Sequence, residues 1–196
     1  MKPPYRATRG DEQLANAITL LRFLLVAPFV LLFVANAPWN MTAALIVFCL
    51  AAATDFADGR IARSRGEISA LGAALDPIAD KLLVLAALVL LVRNGVISGV
   101  DVMLVIAILS REVLVSGLRE ALAASGNSLQ VTRMAKWKTT AQLVSCGGLI
   151  AAAPTGPLGV DWLPIARLIL WIAGALTLWT GAAYVAAATP LLNRNH

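Results

Sequence analysis

The chain has 196 residues, of which 59% are hydrophobic and 14% charged, with a mean hydropathy of +0.79. Soluble domains carry roughly 45–50% apolar and about 25% charged residues, so this composition excludes an ordinary water-soluble globule and makes lipid part of the solvent. Sixteen Lys and Arg against eleven Asp and Glu give +5, a balance that suits anionic headgroups and phosphate-bearing ligands better than nucleic acid.

At about 20 residues per span, six membrane helices would use about 120 residues, which leaves one bundle and no room for a separate soluble domain. Residues 1–15 are polar and are expected to form a cytoplasmic segment suited to the membrane surface. No small-residue cleavage site closes the apolar run behind them, so no cleavable signal peptide is expected. Residues 16–196 are expected to make a single domain. Helix 1 is predicted over 17–35 and stops at Asn36-Ala37-Pro38. Helix 2, over 41–63, stops at Ser64-Arg65-Gly66, and helix 3, over 68–92, at Asn94-Gly95. Helix 4 covers 99–124 and breaks around Ser125-Gly126-Asn127. Helix 5 covers 138–154, and a stretch from Pro154 to Pro164 leads into helix 6 over 163–189. The fold class is therefore all-α, a polytopic membrane protein with six transmembrane helices. Cys49 and Cys146 both lie in apolar runs, which puts neither a disulfide framework nor a zinc site in view.

Basic residues gather on one side of these spans: Lys2, Arg6, Arg9, Arg60, Arg63, Arg65, Arg133, Lys136, Lys138 and Arg194. The other side offers Arg93, with Arg167 just inside helix 6. The positive-inside rule places both termini, the 2–3 loop and the 4–5 loop in the cytoplasm. Trp39 and Trp162 fall at the outer interface and Trp137 at the inner one.

Four carboxylates interrupt this apolar pattern. Asp55 and Asp58 are three residues apart, and Asp76 and Asp80 four apart, so each pair shares a helix face. Asp55 lies eight residues before the expected end of helix 2, and Asp76 eight residues after the expected start of helix 3. Both therefore sit about 12 Å in from the inner helix ends, and the short connection makes the two helices antiparallel neighbours. A carboxylate inside a membrane helix costs roughly 2.5–3.5 kcal/mol, and four at one depth cannot all stay ionised without cations among them. Oxygen ligands with no His or Cys nearby favour Mg²⁺ or Mn²⁺, and four charged oxygens suit two divalent ions. Gly59, Ala62 and Gly72 repeat on the same faces and leave room for a ligand against the backbone, while Arg60 and Arg63 can meet phosphate oxygens. A structural ion-pair network, or a cation transporter, is the competing use of such acids. A transport path predicts acids spread along its length or over an inverted repeat, and no repeat shows.

The pattern Asp-x₂-Asp-Gly-x₂-Ala-Arg-x₈-Gly-x₃-Asp-x₃-Asp, from Asp55 to Asp80, resembles the signature of the CDP-alcohol phosphotransferase family. The resemblance implies that family's six-helix membrane fold, usually a homodimer in a bacterial inner membrane with its active site on the cytoplasmic side. It also implies transfer of a phosphoalcohol from a CDP-linked donor to an acceptor hydroxyl. By position it implies that Asp55, Asp58, Asp76 and Asp80 hold the ions and that Asp80 also serves as acceptor base; spacing alone does not separate Asp80 from Asp76 for that role. Thr54, Gly59, Ala62, Arg63, Ser69 and Gly72 are implied to meet the donor.

Two further stretches, 110–120 around Arg111-Glu112 and Arg119-Glu120, and 135–142 around Lys136-Trp137-Lys138, are similar to the bacterial phosphatidylglycerophosphate synthase branch of that family. So is the helix 1 opening with Asn16, Thr19 and Arg22, which would border the nucleotide of CDP-diacylglycerol. Resemblance to this branch implies glycerol 3-phosphate as acceptor, with inositol phosphate, serine or phosphatidylglycerol as alternatives under the same chemistry. An anionic acceptor needs positive charge beyond the metals, and Arg111, Arg119, Lys136 and Lys138 are the candidates. Their plainer reading is topological for Arg119, Lys136 and Lys138, and an internal Arg111–Glu112 ion pair.

Overall fold

Backbone amides in lipid must be satisfied within their own segment, which favours helix. The described residues contain six α-helices and no strand. The computed structural model describes residues 24–35, 37–65, 70–124 and 133–193; among these, the side chains of 54–65, 70–80, 124, 133, 135, 136, 192 and 193 fall outside the description. In chain order the helices are α1 (Leu24–Val34), α2 (Asn40–Arg65), α3 (Ala70–Arg93), α4 (Val100–Ala124), α5 (Arg133–Ala151) and α6 (Leu163–Asn193), with one 3₁₀ turn, Val160–Trp162, leading into α6.

The ends of α2, α3 and α4 fall within two residues of those expected. At Gly95, φ is +71°, a conformation open to glycine that lets the chain leave α3 with the Gly95 amide on the Val92 carbonyl and the Ile97 amide on that of Leu91. Helix α5 departs from expectation: it begins at Arg133, not 138. Arg and Lys are good helix formers, so the basic stretch read as a loop winds into the first turns. Helix α5 ends at Ala151 rather than 154, where the Gly156 and Leu158 amides turn back onto the carbonyls of Ala153 and Ala151. Helix α6 continues past Pro190 to Asn193, because a proline this near the end removes a single backbone bond.

Helix α5 lies at the middle of the bundle, touching α2, α3 and α6, while α6 also packs on α4. Small residues make these approaches possible. A Cβ at Gly147 would stand 3.7 Å from the Phe48 ring of α2, and one at Gly148 would stand 3.7 Å from Ala166 of α6. On α6, Gly174 faces Leu104 and Gly181 faces Arg111, both on α4. The core around them includes Phe29, Phe48, Leu88, Leu91, Ile108, Leu149 and Leu170, and Phe29 meets Phe33 edge-on at 5.0 Å.

Polar ties close the end where α1, α3 and α5 finish. Asn40 donates from Nδ2 to the Ala35 carbonyl at 2.7 Å and accepts from the Thr155 hydroxyl at 2.7 Å. Arg93 and Asn94 both donate to the Phe33 carbonyl. Asp101, in the first turn of α4, accepts from the Trp171 indole at 2.9 Å and pairs with Arg167 at 3.5 Å.

The described surface is unusually apolar, and a few polar groups are buried beside the apolar core. Leu31, Ile46, Met103, Ile106, Val113, Leu168 and Trp179 are exposed, whereas Glu112, Lys138, Gln142, Ser145 and Thr177 are buried. Among the described residues, one helix, Val160–Leu191, is by itself long and apolar enough to cross a membrane; α2 to α5 carry charged residues within their lengths.

Candidate active site

The helical backbone runs without interruption through both acid pairs. Asp55 and Asp58 lie on α2, and Asp76 and Asp80 on α3, so the spacings of three and four residues put each pair on one face. Helices α2 and α3 touch. Asp55 lies ten residues before Arg65 and Asp76 six after Ala70, about 15 and 9 Å of helix rather than the equal depths expected, because both helix ends shift by two residues; Asp80, ten residues after Ala70, is the one level with Asp55. Asp58 and Asp76 are seven and six residues from the same ends. Thr54, Gly59, Ala62 and Arg63 share α2, and Gly72 shares α3. The side chains of all these residues lie outside the described ones, as do Asn16, Thr19, Arg22 and Ser69 altogether.

Beside this region α4, α5 and α6 build a buried polar cluster. Its centre is Glu112, whose Oε1 accepts from Lys138 Nζ at 2.5 Å, Arg111 Nη1 at 3.2 Å and Gln142 Nε2 at 3.2 Å. Glu112 and Lys138 are each 6% exposed. Charges so shielded are tolerable only when paired and hydrogen-bonded. Gln142 also donates to the Thr177 hydroxyl at 3.0 Å, and Arg111 Nη2 to that of Thr180 at 3.2 Å. Both threonines return their protons to α6 carbonyls, at Ala173 and Leu176. Glycine at 181 makes room for the arginine stem, since a Cβ there would stand 2.6 Å from Arg111 Cγ. From α3, Lys81 donates to the Ser116 hydroxyl and to the Glu112 carbonyl, which ties the residue after Asp80 to α4.

Of the four cations named as candidates for the acceptor, the structure brings Arg111 and Lys138 together in the interior. Lys138 sits in the second turn of α5 and shares one carboxylate oxygen with Arg111, so the internal Arg111–Glu112 pair is present and Lys138 joins it. Arg119 is exposed, eight residues further along α4, about 12 Å away along the axis. The Lys136 side chain is outside the described residues. No individual functional role was expected of Lys81, Gln142, Thr177 or Thr180, and Gly181 was expected only to permit close packing. A signal was there: Lys138, Gln142 and Ser145 fall at i, i+4 and i+7 on α5, and Thr177, Thr180 and Gly181 share a face of α6.

A family model described as CDP-alcohol phosphatidyltransferase matches residues 12–179. The chain belongs to this family. It is similar to proteins named CDP-diacylglycerol–glycerol-3-phosphate 3-phosphatidyltransferase from several bacteria. Identity to that of Pseudomonas fluorescens is 41% over 180 residues, covering 90% of each chain. For Cereibacter sphaeroides it is 37% over 211 residues, covering 90% of this chain and 96% of the relative. For Rickettsia prowazekii it is 39% over 180 residues, covering 91% and 97%.

Proposed function

We propose that this chain transfers the phosphatidyl group of CDP-diacylglycerol to glycerol 3-phosphate, giving phosphatidylglycerophosphate and CMP, in the synthesis of phosphatidylglycerol and cardiolipin. One observation carries the reading: over about nine-tenths of its length the chain is 37–41% identical to relatives that bear this activity in their names. Residues 16–196 are taken as one six-span domain in a bacterial cell membrane, preceded by the polar segment 1–15. The many large apolar side chains exposed on the described helices support that placement. Orientation with both termini and the active site in the cytoplasm follows from the basic residues of the 2–3 and 4–5 connections. A homodimer is expected from the family resemblance.

Four carboxylates on two touching helices are an oxygen-only donor set, which fits hard divalent ions. Asp55, Asp58, Asp76 and Asp80 would hold two, Mg²⁺ or Mn²⁺, in keeping with the family's general use of divalent ions. When bound, such ions supply charge neutralisation at the diphosphate and at the departing phosphate. The chain's residues do the rest. Thr54, Gly59, Ala62, Arg63, Ser69 and Gly72, with Asn16, Thr19 and Arg22, orient the donor. Asp80 accepts the proton of the acceptor hydroxyl as its oxygen attacks the phosphatidyl phosphorus. The new O–P bond forms as the bond to CMP breaks, and CMP leaves with the electron pair. Arg111, Arg119, Lys136 and Lys138 bind the acceptor's phosphate.

CMP release from CDP-diacylglycerol in detergent, with glycerol 3-phosphate, inositol phosphate, serine and phosphatidylglycerol offered in turn, tests the reading. Turnover confined to serine or another of the rival acceptors would overturn the acceptor assignment. No CMP with any of the four would overturn the chemistry.

A further inference from the structure

Arg111 and Lys138 stand around a single carboxylate oxygen. Among the described residues near them, Glu112 is the one anion paired with either. The side chains of Arg111 and Lys138 bring two positive charges to the single negative charge of Glu112, and Lys81 of α3 donates to the Glu112 carbonyl beside them; cations so shielded from solvent call for anionic partners beyond Glu112. Donor capacity is also left over. Lys138 spends one of its three N–H groups on Glu112, and Arg111 spends two of its five, on Glu112 and Thr180. Arg111 Nε is buried with no hydrogen-bond partner. Because both cations bond to the same oxygen, at 3.2 and 2.5 Å, their charged nitrogens lie within about 6 Å of each other, a gap that one phosphate can bridge with charge-assisted bonds of about 2.8 Å on either side.

We propose that Glu112 is a positioning residue for the acceptor: it draws Arg111 of α4 and Lys138 of α5 together against their mutual repulsion, and so sets the spacing at which they grip the acceptor's phosphate monoester. This rests on the reading of the chain as a glycerol-3-phosphate phosphatidyltransferase. Three other contacts hold the same geometry. Thr180 accepts from the far Nη of Arg111, Gln142 braces Glu112 against Thr177, and glycine at 181 leaves the arginine stem its seat.

The sign of one effect separates positioning from its rivals. Glu112→Gln keeps the side-chain shape and removes the negative charge. Were Glu112 only a counter-ion, the added net positive charge would tighten the acceptor and lower its KM. Were it only a cross-link between helices, both substrates' KM values and kcat would worsen together. Positioning predicts that KM for glycerol 3-phosphate rises about tenfold, as for loss of one charge-assisted phosphate contact, with KM for CDP-diacylglycerol unchanged. A double-mutant cycle adds a second readout. In a Lys138→Met background, Glu112→Gln should raise the acceptor KM by less than about twofold, because the pair of cations whose mutual repulsion it offsets no longer exists.

Thr180→Val, nearly isosteric, keeps the test open should Glu112→Gln fold poorly; it should raise the acceptor KM about threefold and leave the donor KM alone. All are measured on the full chain in detergent by CMP release. An acceptor KM that falls in Glu112→Gln, donor and acceptor KM values that rise together, or effects that multiply fully in the double variant would each overturn the proposal. A wild type inert toward glycerol 3-phosphate removes the underlying reading and this inference with it. An active wild type whose variants lack the KM split removes the inference alone.

Discussion

Two glycines on α6, seven residues apart, face α4 with different neighbours, and that difference makes a controlled experiment. In Gly174→Ala the new methyl would overlap the Leu104 side chain, which is 7% exposed and has no solvent to retreat into. In Gly181→Ala it would stand 2.6 Å from Arg111 Cγ and 3.1 Å from Arg111 Nε. Overpacking a tight site costs roughly 1–3 kcal/mol, and alanine returns about 0.5–1 kcal/mol in a helix interior. Each variant should therefore lose about 1 kcal/mol of stability, and thermal unfolding in detergent should shift alike. Activity should not. Displacing Leu104 touches nothing polar, whereas displacing Arg111 pulls its guanidinium off Thr180 and Glu112. A misplaced charge-assisted contact is worth about 1.5–3 kcal/mol, so Gly181→Ala should raise the KM for glycerol 3-phosphate about tenfold or more, and Gly174→Ala should leave it near the wild-type value. Initial rates of CMP release against each substrate, beside melting curves for both variants, make the comparison. Equal KM changes in the two variants, or none in either, would refute the assignment of Arg111 to the acceptor through its seat on α6.

Excess chelator should abolish turnover and added Mg²⁺ or Mn²⁺ restore it, with Asp55→Asn folded yet nearly inert; full activity in EDTA would sink the metal assignment. Asp80→Asn should retain CDP-diacylglycerol binding while kcat falls by about 10²–10⁴, the usual worth of a general base; near-normal turnover would send the proton elsewhere. Lys136→Ala and Arg119→Ala should raise the acceptor KM with little change for the donor, and equal losses for both substrates would point to a topological role. Asp101→Ala removes the partner of Trp171 and Arg167 at the opposite end of the bundle, so it should cost about 1–3 kcal/mol of stability with both KM values unchanged; a KM shift would show coupling along α4.

Much of the architecture is legible in the sequence because it depends on local chemistry. Helix α3 stops where Asn94-Gly95 offers a left-handed exit, and Gly95 takes φ +71°. The acid motif from Asp55 to Asp80 stands out without coordinates, since carboxylates in an apolar run need a charge-bearing ligand, and its resemblance to a known signature points to the family. Other features depend on which helix lies against which, and spacing along one chain carries no such information. Lys138 reads as an entrance lysine from its basic neighbours; only the packing of α6 against both α4 and α5 brings it onto Glu112. Gly174 and Gly181 look alike in an apolar helix, until packing gives one a leucine and the other an arginine as neighbour. Arg167 counts as an outer-side base by topology and becomes the partner of Asp101 through the contact of α6 with α4. Burial converts each of these pairings into a requirement, because a charge withdrawn from water must meet its complement wherever the fold places it.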